Sequence, residues 1–247
     1  MVVLIRARYR IKIRGIVLLI VIFMLIIVGI RSCVSRVKSG DEREIENGVV
    51  VNDSLYKIYI DPGHGGSDPG AEGDRTEEKD LTLKVGLALN DVLLESNFQT
   101  YMSRVDDSTI NVRKRPGMAN ETDADVFVSI HFNAADPKKI NNYRSVSGIE
   151  TFYYENTESD SPVLAKYVQE ALVEGLGFRD RGYQPADHCV TRETTMPAIL
   201  IELGFLSNYD QENFYLEKEN IEKAANCIKE GIENYFEEKE GNKDVDV

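Results

Sequence analysis

Apolar positions repeat with two different periods along this chain, and the alternation between them suggests a layered fold. YKIYID (56–61) is a short apolar-rich run that ends at Pro62-Gly63, the pattern of a strand entering a turn. Leu81, Val85, Ala88, Leu89 and Val92 follow helical spacing and predict a helix over about 78–95. FQTYMSR (98–104) alternates weakly as a second strand, and VFVSIHF (126–132) has the β-branched and aromatic content of a buried one. GIETFYY (148–154) reads as another strand. Ser161-Pro162 then supplies a cap and first-turn proline for a helix with Leu164, Val168, Ala171 and Leu172 on one face, stopping at Gly175. AILIEL (198–203) is a last buried strand, and Ile221, Ala225, Ile228, Ile232 and Tyr235 mark a C-terminal helix. Strands alternating with helices predict an α/β fold. A single domain over 55–237 would hold a mostly parallel, mixed, twisted sheet with helices on both faces, followed by a charged tail at 238–247.

The start of the chain breaks this pattern. Residues 16–30, IVLLIVIFMLIIVGI, form an apolar run of about 23 Å as a helix, short of the roughly 30 Å hydrocarbon core. The run suits a signal-peptide core or a short membrane anchor. Five basic residues precede it and three follow, which keeps the N-terminus inside and exports the rest. Arg31 interrupts the best cleavage site, and Cys33 lacks the small residues that precede a lipid-modified cysteine, so residues 1–34 read as an uncleaved anchor. Residues 35–54 are polar and aperiodic, and form a linker. The expected location is the outer face of the cytoplasmic membrane.

Charge sharpens the picture. The 247 residues carry 29 basic and 42 acidic side chains, a net of −13. Eight of the basic residues, and no acid, fall in the first 40, leaving 21 against 42 in the rest. So acidic a body is repelled by phosphate backbones, which argues against nucleic acid as a partner. Cys33, Cys189 and Cys227 are too few and too scattered for a disulfide scaffold or a cysteine-rich metal site.

In open α/β sheets, ligands bind beyond the carboxyl ends of the strands. His64 follows the 56–61 strand in the turn DPGHGG, His131 lies toward the end of the 126–132 strand, and Glu202 toward the end of 198–203. Glu78 begins the first long helix, which starts on the same rim if the crossover is right-handed. Two histidines and one carboxylate are the ligand set of many hydrolytic zinc sites. Zinc acidifies a bound water and polarises a carbonyl, and a second carboxylate is then needed to move the proton. Gly63, Gly65 and Gly66 allow a sharp turn and a close approach to a ligand.

Taken in order, IYIDPGHGGSDPGA (58–71), EKDLTL (78–83), RPGMAN (115–120), DVFVSIHFNA (125–134), GIETFYY and PAILIELGFLSN (197–208) resemble the zinc-dependent N-acetylmuramoyl-L-alanine amidases, which cleave bacterial peptidoglycan. The resemblance spans about residues 56–237. It implies one zinc per chain on His64, Glu78 and His131, with Glu202 as the catalytic residue. Glu77 beside Glu78 makes the third ligand depend on alignment to Lys79, and Pro116-Gly117 falls where the family has a continuous helix, so that helix begins or kinks there. Some relatives carry a site-blocking helix between the second histidine and the next strand, for which residues 135–147 leave little room. His188 is the rival metal ligand, with a strand-edge or substrate-cleft position as the alternative. Cys189 sits in a strand-like segment with no recognisable base partner. Arg104, Arg115 and Arg192 either grip stem-peptide carboxylates or are plain surface charges. The reading implied is an exported peptidoglycan amidase of the cell envelope, akin to spore-cortex enzymes, with no particular activating protein indicated. A zinc peptidase or deacylase on another exported amide, and a catalytically silent wall-binding protein, are the competing readings.

Overall fold

The structure, a computed structural model, describes residues 56–156 and 159–243. The expected anchor (1–34) and linker (35–54) lie outside the described residues. Among the described residues no helix is long and apolar enough to cross a membrane.

Six strands form one sheet: β1 (Lys57–Pro62), β2 (Gln99–Met102), β3 (Val126–Asn133), β4 (Ile149–Tyr153), β5 (Asp180–Pro185) and β6 (Ala198–Phe205), in the order β2-β1-β3-β6-β4-β5. The pairs β1–β2, β1–β3 and β3–β6 are parallel, β4 runs antiparallel to β6, and β5 is parallel to β4. The helices are α1 (Glu78–Glu95), α2 (Arg115–Asn120), α3 (Ser161–Leu176), α4 (Cys189–Arg192), α5 (Tyr209–Phe214) and α6 (Lys218–Lys243).

Side chains alternate between the two faces of each strand, and the two faces are covered unequally. Ile58, Ile60, Val128, Ile130, Ile199, Ile201 and Leu203 pack under the long helices through Leu81, Val85 and Leu89 of α1, Leu164, Val168 and Leu172 of α3, and Ile228 and Ile232 of α6. Each fully buried Ile or Leu there contributes about 1.5–3 kcal/mol. The other face carries Tyr59, Phe127, Ala198 and Leu200, covered by Ala119 of α2 and Val190 of α4. Two short helices cannot roof a sheet of this width, so among the described residues the carboxyl ends of β1, β3 and β6 stay open on that side.

Several expectations need correction. α3 runs through Gly175 to Leu176, and the residue that ends it is Gly177, left-handed at φ 69°, whose N–H donates to Val173 O. Cys189 lies in a short helix, not a strand, and His188 is its N-cap. β5, DRGYQP, carries no alternating apolar pattern because it is a sheet edge held from one side, with the buried Gln169 Nε2 bridging Ile149 O (2.9 Å) and Asp180 Oδ1 (2.6 Å). α6 continues past residue 237 to Lys243, into the stretch read as a tail. α2 does begin with Pro116 in its first turn. Between β3 and β4 the described backbone forms only the 3₁₀ turn Tyr143–Ser145, so no helix blocks the rim there.

Candidate metal centre and active site

β1 leaves the sheet through Pro62 into a loop whose geometry few sequences tolerate. His64, Gly65 and Gly66 take φ values of 60°, 131° and 59°, all positive, and only His64 among them pays a side-chain penalty. Gly63 donates to Ile130 O at 3.0 Å, and a Cβ on it would run into the His131 ring. Two arginines hold the loop by its carbonyls. Arg104 donates to Pro62 O (3.0 Å) and Gly63 O (2.8 Å). Arg115 donates to Pro62 O (2.8 Å) and His64 O (2.5 Å), and pairs with Asp61 at 2.6 Å. Asp61 also accepts from Ser129 Oγ at 2.8 Å. Arg104 and Arg115 are each 3% exposed, so neither grips a peptide carboxylate nor sits in solvent; they brace the loop. Arg192 remains outside, paired with Asp187 and Glu193.

That loop turns His64 toward Glu78 and His131. Glu78 Oε1 lies 2.9 Å from His131 Nδ1 and 3.1 Å from His64 Nε2, and accepts from Phe132 N at 3.0 Å. Its Oε2 accepts from Ala71 N at 2.6 Å. The ligand atoms of the three residues lie within 4.8 Å of one another. Behind them, His64 Nδ1 meets Asp68 Oδ2 at 2.9 Å, which directs Nε2 into the cluster. Burial works against charge on both partners, but the pairing wins: Glu78 is held well below the usual carboxylate range by His131 and His64, and His64 is raised by Glu78 and then Asp68. Glu77 points away to Lys79 Nζ, 3.4 Å distant, so Glu78 is the acid that reaches the cluster.

A divalent ion fits this place on structural grounds. Two imidazoles and a carboxylate converge from three separate elements, and two of them are oriented by partners outside the cluster, His64 by Asp68 and Glu78 by Ala71 N and Phe132 N. The cradle has no room for a larger backbone residue. A Cβ on Gly70, itself at φ 70°, would lie 2.5 Å from Glu78 Oε2 and 2.7 Å from His64 Cδ2.

Glu202 stands beside this group. Register pairs it with His131 on β3 and with Glu150 on β4, so the three side chains form one row on the thinly covered face. Glu150 is engaged by Asn133 Nδ2 and Arg181 Nε, each at 3.1 Å. Glu202 has no such partner, and its Oε2 is buried without a hydrogen bond. Burial first, then the charges of Glu78 and Glu150, push its pKa well above the carboxylate range.

The rim opens into a cleft of about 160 Å³ walled by His64, His131, His188, Leu200 and Val112. His188 lies outside the three-residue cluster, with its ring 5.1 Å from that of Phe152. Burial and then His131 lower its pKa, so it enters the cleft as a neutral ring. Burial, then Glu193, raises the Cys189 thiol, which disfavours the nucleophilic thiolate. A larger hollow of about 650 Å³ between α1 and α6 contains none of these groups, and the chemistry belongs to the smaller cleft.

Residues 58–234 match the family model of N-acetylmuramoyl-L-alanine amidase. The chain belongs to that family. It is 39% identical to the N-acetylmuramoyl-L-alanine amidase CwlM of Bacillus licheniformis over 62% of this chain and 58% of that one. It is 33% identical to the sporulation-specific N-acetylmuramoyl-L-alanine amidase of Bacillus subtilis, over 74% of this chain and 69% of the relative. Among solved structures, the N-acetylmuramoyl-L-alanine amidase from Clostridium difficile 630 superposes with a TM-score of 0.69 at 38% identity, covering 74% of this chain and 97% of that one. The protein is thus an amidase acting on peptidoglycan. All four site residues of this amidase that the sequence suggested reach one rim. The supporting set (Asp61, Asp68, Arg104 and Arg115) was not foreseen in its role, since each acts largely through hydrogen bonds to backbone or to another side chain.

Proposed function

We propose that this amidase hydrolyses the bond between the lactyl group of N-acetylmuramic acid and L-alanine, using one zinc ion held by His64, Glu78 and His131. His64, Glu78 and His131 would hold the ion, which when bound would supply Lewis-acid polarisation of the scissile carbonyl and a more acidic water. Glu202 is the proton-transfer group: its carboxylate takes the proton of the attacking water and hands it to the leaving nitrogen of L-alanine. The observation that carries this reading is the row His131–Glu202, in which the carboxylate beside the ligand cluster is the one with an unpartnered oxygen. Asp68 fixes the His64 tautomer, and the loop-bracing arginines keep His64 at its positive φ.

Two variants separate the roles. Glu202→Gln should lose about 10²–10⁴-fold in rate on purified peptidoglycan while keeping its zinc, because the amide preserves shape but cannot take a proton. Glu78→Gln should instead lose zinc. An active Glu202→Gln, or a Glu202→Gln that loses metal while Glu78→Gln keeps it, reverses the assignment.

Residues 1–34 serve as an uncleaved anchor that holds the body on the outer face of the membrane; the basic cluster ahead of the apolar run supports this. Protease added to wall-stripped cells should digest the body, and its protection would overturn the topology. The likeness to a sporulation-specific relative supports a role in sporulation.

A further inference from the structure

Glu212 is fully buried on α5, yet it forms no ion pair among the described residues. Its Oε1 accepts three hydrogen bonds from one short stretch of chain: Arg75 N at 2.7 Å, Thr76 N at 3.0 Å and Thr76 Oγ1 at 3.0 Å. Its Oε2 is buried with no partner. The guanidinium that could have neutralised it, that of Arg75, donates to Asn213 Oδ1 at 2.6 Å instead. A buried carboxylate without a countercharge is costly, and charge-assisted bonds to backbone N–H groups are what offset it. Gly73 completes the fit, because a Cβ there would run into Glu212 Oε1.

The stretch it grips leads directly to Glu78. Gly73 N donates to Thr76 O (2.9 Å), Glu72 bridges Glu77, and Glu78 N donates to Ala71 O (2.9 Å) while Ala71 N donates to Glu78 Oε2 (2.6 Å). The ligand carboxylate is therefore as well placed as this loop is. α5 is in turn fixed to the strands of the site. Asn208 Oδ1 caps Gln211 N at 3.0 Å, and Gln211 Oε1 accepts from Phe205 N of β6 (3.1 Å) and from Gly148 N just before β4 (3.0 Å).

We infer that Glu212 is a positioning residue for Glu78: its carboxylate ties the 73–76 loop to the end of β6 and thereby sets the affinity of the cluster for zinc. The inference rests on the metal reading above. Outer partners of metal ligands typically govern about 10–100-fold in affinity, and Glu212 acts one step further out, through the loop that presents the ligand.

The test is zinc affinity of the full-length chain in detergent, read by competition with a chromophoric chelator, at a temperature where metal-free melting shows every variant folded. Glu212→Leu should bind zinc about 10-fold or more weakly. Glu212→Gln, which keeps an oxygen for the same donors, should restore most of that loss. Thr76→Val removes one of the three bonds and should give a smaller loss, which carries the test if Glu212→Leu does not fold. Ile232→Ala, a core change remote from the site, should destabilise the chain and leave zinc affinity unchanged. The inference is overturned if Glu212→Leu or Thr76→Val binds zinc like the wild type, if Glu212→Gln loses as much as Glu212→Leu, or if Ile232→Ala weakens zinc equally. A wild-type chain that does not bind zinc removes the metal reading itself, a different result from any of these.

Discussion

His64 is held between two carboxylates, Asp68 on Nδ1 and Glu78 on Nε2, and this sets how its metal affinity depends on pH. Burial alone would lower its pKa, but Glu78 and Asp68 raise it. Metal and proton compete for the ring. As pH falls, zinc should therefore be released starting at a higher pH than an ordinary imidazole near 6.5 would allow. Asp68→Asn should weaken zinc binding at neutral pH by about 10–100-fold through the lost orientation and basicity, and its affinity should begin to fall with pH only at lower pH than that of the wild type. Zinc titrations across pH check both effects, and an unchanged curve would mean that the Asp68 contact is incidental. His64, Glu78, His131 and Glu202 were legible in the sequence because reactive side chains at strand ends are few and their chemistry is specific. Arg104, Arg115 and Glu212 were not, because what they recognise is largely the carbonyl and N–H groups of the backbone. The one hint was the PGHGG turn itself, whose carbonyls cannot all pair within so irregular a loop.

Elements with strong periodicity could be read directly, and those without it could not. β3 and β6, buried on both faces, show continuous apolar runs, and α1 shows Leu81, Val85 and Leu89 in phase. β5 and α4 were missed because an exposed edge strand and a one-turn helix need no pattern of their own; neighbours supply their hydrogen bonds. Gly177 rather than Gly175 ends α3 for a packing reason, since Gly175 faces Cys227 of α6 and a Cβ there would strike its Sγ. Gly231, in the middle of α6, gives a test of the same crossing. Alanine there should gain about 0.5–1 kcal/mol in helix propensity. Its Cβ would however lie 2.5 Å from Val168 Cα and 2.9 Å from Tyr167 O, backbone atoms of α3 that cannot swing aside. Overpacking costs about 1–3 kcal/mol, so Gly231→Ala should lower the melting temperature. A higher one would show that α3 and α6 are less tightly apposed than described.

For the molecule as a whole, the unequal cover of the sheet links stability to activity. The thick side, under α1, α3 and α6, holds the larger core, while the thin side, among the described residues, leaves the carboxyl ends of β1, β3 and β6 open to a polymer too large for an enclosed pocket. Strand order places His131, Glu202 and Glu150 side by side, though β6 is distant in sequence from both neighbours. That adjacency follows from long-range pairing, which no local pattern reveals. The most direct measurement is mass analysis of the products released from purified peptidoglycan by the full-length chain with zinc. The expected products are free stem peptides beginning with L-alanine and glycan strands that keep the lactyl carboxylate, with both lost on chelation and recovered when zinc is restored. Cuts within the peptide or the glycan, or activity unaffected by chelation, would contradict the proposed reaction.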